Sequence, residues 1–135
     1  MIELYSKNIP VTAENAVPFN NVVIKKGCTV EESAPSTIQL NKCGIYMVSC
    51  DASVTAETDG DIVLQLYKNG IAQPQAISTA TGAADTPVSM GFTTLVQVSE
   101  NNTRCCCSSP TTLQIVSSGV DVTINNINVC VTKVC

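Results

Sequence analysis

Eight cysteines and one knot of carboxylates are the residues in this 135-residue chain whose types and spacing invite chemistry. The cysteines stand at positions 28, 43, 50, 105, 106, 107, 130 and 135. Structural zinc favours cysteine pairs with roughly two to four residues between them. Cys43 and Cys50 are too far apart for that, and the run Cys105-Cys106-Cys107 is too tight. Histidine, the usual companion ligand and general base, is absent. Redox catalysis calls for Cys-x-x-Cys at a helix N-terminus, and the chain offers neither. Two readings stay open: thiols packed as small hydrophobes, or disulfides, which the even count suggests. Among the carboxylates, Asp51, Glu57, Asp59 and Asp61 are the densest group. Asp59 and Asp61, flanking Gly60, form a weak calcium candidate, because calcium wants about six or more oxygens. An Asp-Gly turn accounts for the same residues without an ion. Gly82, Gly91 and Gly119 stand alone and make no phosphate cradle, and nothing favours a glycosidase pair. The expectation is a protein that is not an enzyme and carries no cofactor.

The elements that must position these residues are strands. Valine (17) and threonine (15) dominate, Trp is absent and Phe plus Tyr total five, so the core must be aliphatic and the backbone pleated. A net charge of −4, with basic residues scattered singly apart from Lys25-Lys26, leaves no stripe that could track a phosphate backbone. Nucleic acid is not an expected partner. No segment reaches the ~18 apolar residues of a membrane span, and the start of the chain has neither a basic leader nor an apolar run, so no secretory signal is expected. Only 13% of residues are charged, so part of the surface is expected to be covered by another subunit.

Period-two alternation recurs along the chain, and no period of 3.6 survives over ten residues. Ile2 and Leu4 open a short strand, residues 15–26 carry Phe19, Val22 and Ile24 into a second, and residues 37–40 form a third. Over residues 44–55 Tyr46, Val48, Cys50, Ala52 and Val54 share one face, and Ile45, Met47, Ser49, Asp51 and Ser53 share the other. Ile62, Leu64 and Leu66 alternate in the next strand, which ends on Asn69-Gly70, a type I′ hairpin signal. Val88, Met90, Phe92, Thr94, Val96 and Val98 line another strand. Leu113 and Ile115 precede a turn at residues 117–119, and the phase slips at Asn125-Asn126, which predicts a bulge. About eight to ten short strands predict an all-β antiparallel sandwich.

The stretch from Cys43 and Gly44 through Tyr46 to Asp51, followed by Ile62 to the Asn69-Gly70 turn, resembles the middle of the complement/tumour-necrosis-factor-like jelly roll. Val17-Pro18-Phe19-Asn20-Asn21-Val22 resembles the segment that precedes it in that family, and the closing residues 126–134 add to the likeness. Among relatives the chain looks most like small stand-alone versions in phages of Gram-positive bacteria and the tips of collagen-like spore-surface glycoproteins. The resemblance covers residues 15–134, and this chain departs from it in its few aromatics and its lack of a collagen stalk.

That resemblance implies a single jelly-roll domain over residues 19–135, preceded by an N-terminal arm, residues 1–18, with a short strand. It implies a homotrimer, and the second apolar face that the alternation leaves, Ile45 and Met47 opposite Tyr46 and Val48, supplies the interface candidates. It also implies that the strand carrying Cys105, Cys106 and Cys107 lies next to residues 44–55. Cys50, the triplet and Cys130 would then share one sheet as a possible disulfide or thiol cluster. The expected function is a structural, non-enzymatic virion surface protein, a capsid decoration or head-fibre knob attached to a phage capsid or other virion scaffold through the N-terminal arm. The alternative is a receptor- or glycan-binding adhesin tip on a phage tail or a spore or cell surface.

Overall fold

The computed structural model describes residues 1–27, 30–98 and 106–134, with only the backbone described at 33 and 106–110. Its strands are β1 (Ile2–Val11), β2 (Asn15–Ala16), β3 (Asn21–Lys25), β4 (Val30–Ala34), β5 (Thr37–Lys42) and β6 (Gly44–Ala56), then β7 (Gly60–Lys68), β8 (Ile71–Gly82), β9 (Pro87–Val98), β10 (Cys106–Gly119) and β11 (Val122–Lys133). They form two sheets, one five-stranded in the order β3-β1-β11-β6-β9 and one six-stranded in the order β4-β5-β10-β7-β8. All the pairings between named strands are antiparallel, so the expected all-β sandwich is what the chain builds.

Alternation explains the sandwich. A strand buries every second side chain against the opposing sheet, and β6 does so with Tyr46, Val48, Cys50 and Val54, each at most 1% exposed. Ile62, Leu64 and Leu66 of β7 answer from the other sheet, joined by Leu113 and Ile115 of β10. Phe19 and Tyr46 are the two large rings fully buried among these aliphatics. Asn69 (φ 52°) and Gly70 (φ 80°) both adopt positive φ at the β7–β8 hairpin, the backbone of the predicted turn. The predicted bulge falls where the β11–β6 register shifts between Ile124 and Asn126, and the Asn125 amide Nδ2 donates to Thr55 Oγ1 at 2.7 Å.

Two expectations need correction. Residues 1–18 are not an arm: β1 runs for ten residues and sits between β3 and β11. An asparagine and a proline within it, Asn8 and Pro10, do not end the pairing. The backbone takes positive φ at Asn8 (φ 54°), pairing resumes at Ile9, and the Pro10 position continues the register opposite Thr123. Ile2, Leu4, Ile9 and Val11 all enter the core. Ser6, fully buried, ties this strand to the next segment: its hydroxyl donates to the Pro18 carbonyl at 2.7 Å and accepts from the Asn20 amide at 3.0 Å.

The second correction concerns strand order. The neighbours of β6 are β11 and β9, and the strand that begins at Cys106 belongs to the six-stranded sheet, between β5 and β7. The slip came from β8, whose Gln73, Pro74, Ser78 and Thr79 carry no hydrophobic alternation because β8 is the sheet's edge and largely exposed. Missing one edge strand moves every later strand by one place.

Deleting residues 1–14 is expected to abolish folding. Removing four buried aliphatic side chains, each worth about 1.5–3 kcal/mol, consumes most of a typical 5–15 kcal/mol stability. Far-ultraviolet circular dichroism of the truncated chain checks this; a folded product would mean that β1 is dispensable.

Candidate functional site: the outer face of the five-stranded sheet

The side chains that alternate away from the core make the most distinctive surface among the described residues. Registers across the five-stranded sheet set them in rows. Thr132 lies beside Met47, which lies beside Leu95. The next row runs Glu3, Cys130, Ser49, Thr93, and the one after it Tyr5, Asn128, Asp51, Gly91. Met47 and Leu95 of the first row, with Ile45 at their side, make an apolar patch: Leu95 is 59% exposed and Met47 36%. Beyond it the surface turns polar, with Ser49 and Thr93 hydroxyls 3.5 Å apart.

Ile45 and Met47 therefore point where the sequence alternation put them, outward from β6, with Ile45 half-buried. Leu95 went unremarked in the sequence. Its signal was an apolar residue in the outward phase of β9, between inward Thr94 and Val96.

Asp51, Ser78, Ser89, Met90, Gly91, Phe92 and Thr93 line a shallow open depression beside this patch. A side chain cannot replace the hydrogen at Gly91: a Cβ there would lie 2.5 Å from the Cys50 carbonyl oxygen and 2.9 Å from Asp51 Oδ1. The glycine lets β6 and β9 close with a carboxylate at the seam. The Gly91 amide donates to Ser78 Oγ at 3.2 Å, which links the edges of the two sheets.

The cysteines do not assemble as expected. Cys50 faces the core and Cys130 the outer surface, since Val129, not Cys130, stands opposite Cys50. Both are free thiols. Cys106 lies opposite Lys42 in the other sheet, and Cys107 follows it there; Cys105 lies outside the described residues. Cys43 is disulfide-bonded. Burial, reinforced by Asp51 next door, pushes the Cys50 thiol up to about 12. Burial and the facing Glu3 raise Cys130 too, against a smaller lowering by the chain's amino group.

The calcium candidates fare no better as a pair. Asp59 Oδ1 accepts the Ala84 amide at 2.8 Å, and among the described residues no group of three or more carboxylate or thiol side chains is placed to hold a metal ion.

No family model matches the sequence, and no curated protein matches it significantly. Solved structures do. The globular domain of zebrafish complement 1qA protein superposes with a TM-score of 0.67 at 9% identity, over 96% of this chain and 94% of that one. Eiger TNF from S. frugiperda gives 0.73 at 10% identity, over 99% and 92%. This is the complement/tumour-necrosis-factor jelly roll. PRD1 vertex protein P5 shares the jelly roll with a TM-score of 0.64 at 16% identity, over 99% of this chain and 96% of that one. At such identities the likeness is one of fold, and the face just described is argued from this chain's own residues.

Thiol chemistry separates the two faces of the jelly roll. At about pH 8 iodoacetamide should label Cys130 in the native protein, whereas Cys50, buried and held as the protonated thiol, should react only after unfolding. Peptide mass spectrometry reads both, and native labelling of Cys50 would contradict its burial.

Proposed function

We propose that this chain is a structural, non-enzymatic protein of a virion surface, a homotrimeric jelly-roll knob that decorates a capsid or caps a head fibre. The observation that carries the trimer is the apolar row Met47–Leu95, with Ile45 beside it, on the outer face of the five-stranded sheet. A jelly roll buries only the inner face of each sheet, and side chains this large on the other face are stabilised by contact with a second subunit. The same full-length fold in PRD1 vertex protein P5 supports a capsid setting. Among the described residues no helix is long and apolar enough to cross a membrane. Because β1 is a core strand, the scaffold contact expected of residues 1–18 falls to the exposed start of that segment at Met1, which is 39% exposed.

Light scattering on the purified protein should give three times the protomer mass of 14.2 kDa. Met47→Lys with Leu95→Lys should yield folded monomer, since lysine charges cannot be desolvated at an apolar contact. A wild-type monomer at about micromolar concentration, where a specific interface of standard size holds together, overturns the trimer. Absence from purified virions, with binding to host cells or glycans by the free trimer instead, would favour an adhesin tip.

A further inference from the structure

Most lysines gather at one end of this jelly roll, and six of the ten described carboxylates gather at the other. Five of the six lysines, Lys25, Lys26, Lys42, Lys68 and Lys133, gather at the end where β1 begins. Lys25 stands opposite Ile2 and Lys133 opposite Tyr46. The Lys26 amide donates to the Met1 carbonyl at 2.9 Å, and the Lys42 carbonyl accepts the Tyr46 hydroxyl at 2.5 Å. Lys68 Nζ reaches across to the Gln97 carbonyl at 2.6 Å. Only Lys7 lies away from this end, opposite Asn126 in the body of β1.

The far end is built from the loops β1–β2, β6–β7, β8–β9 and β10–β11. Hydrogen bonds draw them together: the Ala13 amide to Asp121 Oδ1, the Glu57 amide to the Asp121 carbonyl, and the Ala84 amide to Asp59 Oδ1. There Glu14, Glu57, Asp59, Asp61, Asp85 and Asp121 are all exposed, with no lysine among them. The other described carboxylates are Glu3, one residue in from the lysine end, Glu31 and Glu32 on the edge strand β4, level with Lys68 through Gln39, Ile38 and Leu113, and Asp51 in mid-sheet.

We propose that the lysine end is a docking surface for a carboxylate-rich protein face, which orients the knob with its acidic loops outward. This rests on the reading of the chain as a scaffold-mounted knob and names the surface and partner chemistry of the mount. A protein of net charge −4 is repelled as a whole by an acidic surface. Only a segregated basic end is attracted, so the field selects one orientation before contact. Met1, Ile24 and Val134, each at least 39% exposed, stand among those lysines. Apolar atoms ringed by charge are the anatomy of a protein contact. Nucleic acid fits less well, because among the described residues this end has no arginine and no exposed aromatic ring to stack bases. Membrane fits less well too: the lysines project from separate strands and loops, not from one amphipathic helix.

The test uses the full chain on immobilised poly-L-glutamate. Binding should be clear at ~20 mM salt and fall at least tenfold by ~300 mM, as screening shortens the reach of surface charge. Two folded variants that remove the same three units of net charge separate the patch from the total. Lys25→Ala, Lys26→Ala and Lys133→Ala together should lose binding about tenfold or more. Thr12→Glu, Thr58→Glu and Thr86→Glu, at the far end, should leave it within about twofold. Equal losses in the two variants, or no binding by the wild type, overturn the proposal. So does tighter binding to duplex DNA or to vesicles of anionic lipid. Stacking of free protein at low salt without capture by polyglutamate would assign the lysine end to the acidic loops of a second copy and also overturn it. Attachment to virions that ignores salt and the triple lysine variant would sink this inference and leave the scaffold reading intact. Capture by polyglutamate with no virion attachment would do the reverse.

Discussion

Strand β11 has to satisfy two partners at once, and the molecule is arranged around that demand. On one side it pairs with β1 from Ile2↔Val131 to Val11↔Val122, and on the other with β6 from Val122↔Ala56 to Lys133↔Tyr46. The last strand of the chain is thus held between its first strand and its middle. Ile124, Ile127, Val129 and Val131 are fully buried in consequence. Neither sheet pairing is local, so loop-closure entropy must be met before the contacts that offset it form. A bulge at residues 124–126 is the adjustment that lets one strand keep both registers.

An aliphatic core makes this closure possible and also limits it. Valine, isoleucine and leucine pack on a pleated surface without large rings, so the sheets depend on many small side chains in phase. Where the chain leaves strict alternation, polar groups hold it. Ser6 anchors the 17–20 segment from inside, with a donor and an acceptor bond from one hydroxyl. Gly91 removes a side chain at the point where Asp51 crosses to β9. These are the places where a substitution would disturb the frame beneath the outer face.

The same alternation that fills the core decides what faces out. On β6 and β9 the outward phase carries Ile45, Met47 and Leu95 near one end and Ser, Thr, Gly and Asp residues toward the other. A surface graded in this way can meet another subunit with its apolar part and water with the rest. The charges are also graded along the strands, because most lysines cluster at the strand ends and turns of one end while six of the ten described carboxylates occupy the opposite loops. The apolar row thus lies toward the same end as the lysines, with Lys133 opposite Tyr46 and Thr132 opposite Met47.

From the residues alone, the strand class, the inward and outward faces of β6, the I′ turn at Asn69-Gly70 and the bulge near Asn125 were all legible, because each depends on local periodicity or on positive φ. The jelly roll itself was legible through the Gly44–Tyr46 and Val17–Phe19 patterns. The two edge strands of the six-stranded sheet were not. β4 and β8 bury little, so no alternation marks them, and without β8 the cysteine triplet was assigned to the wrong sheet. Nor could sequence show that β1 is a core strand: Asn8 and Pro10 look like breakers until the neighbours β3 and β11 supply partners for the backbone. The separation of Cys50 from Cys130 depends on a one-residue register across β6 and β11, and one residue in a strand exchanges the faces. The gathering of five lysines at one end and six carboxylates at the other is tertiary altogether, since residues spread from Glu14 to Lys133 meet only where the loops and strand ends converge.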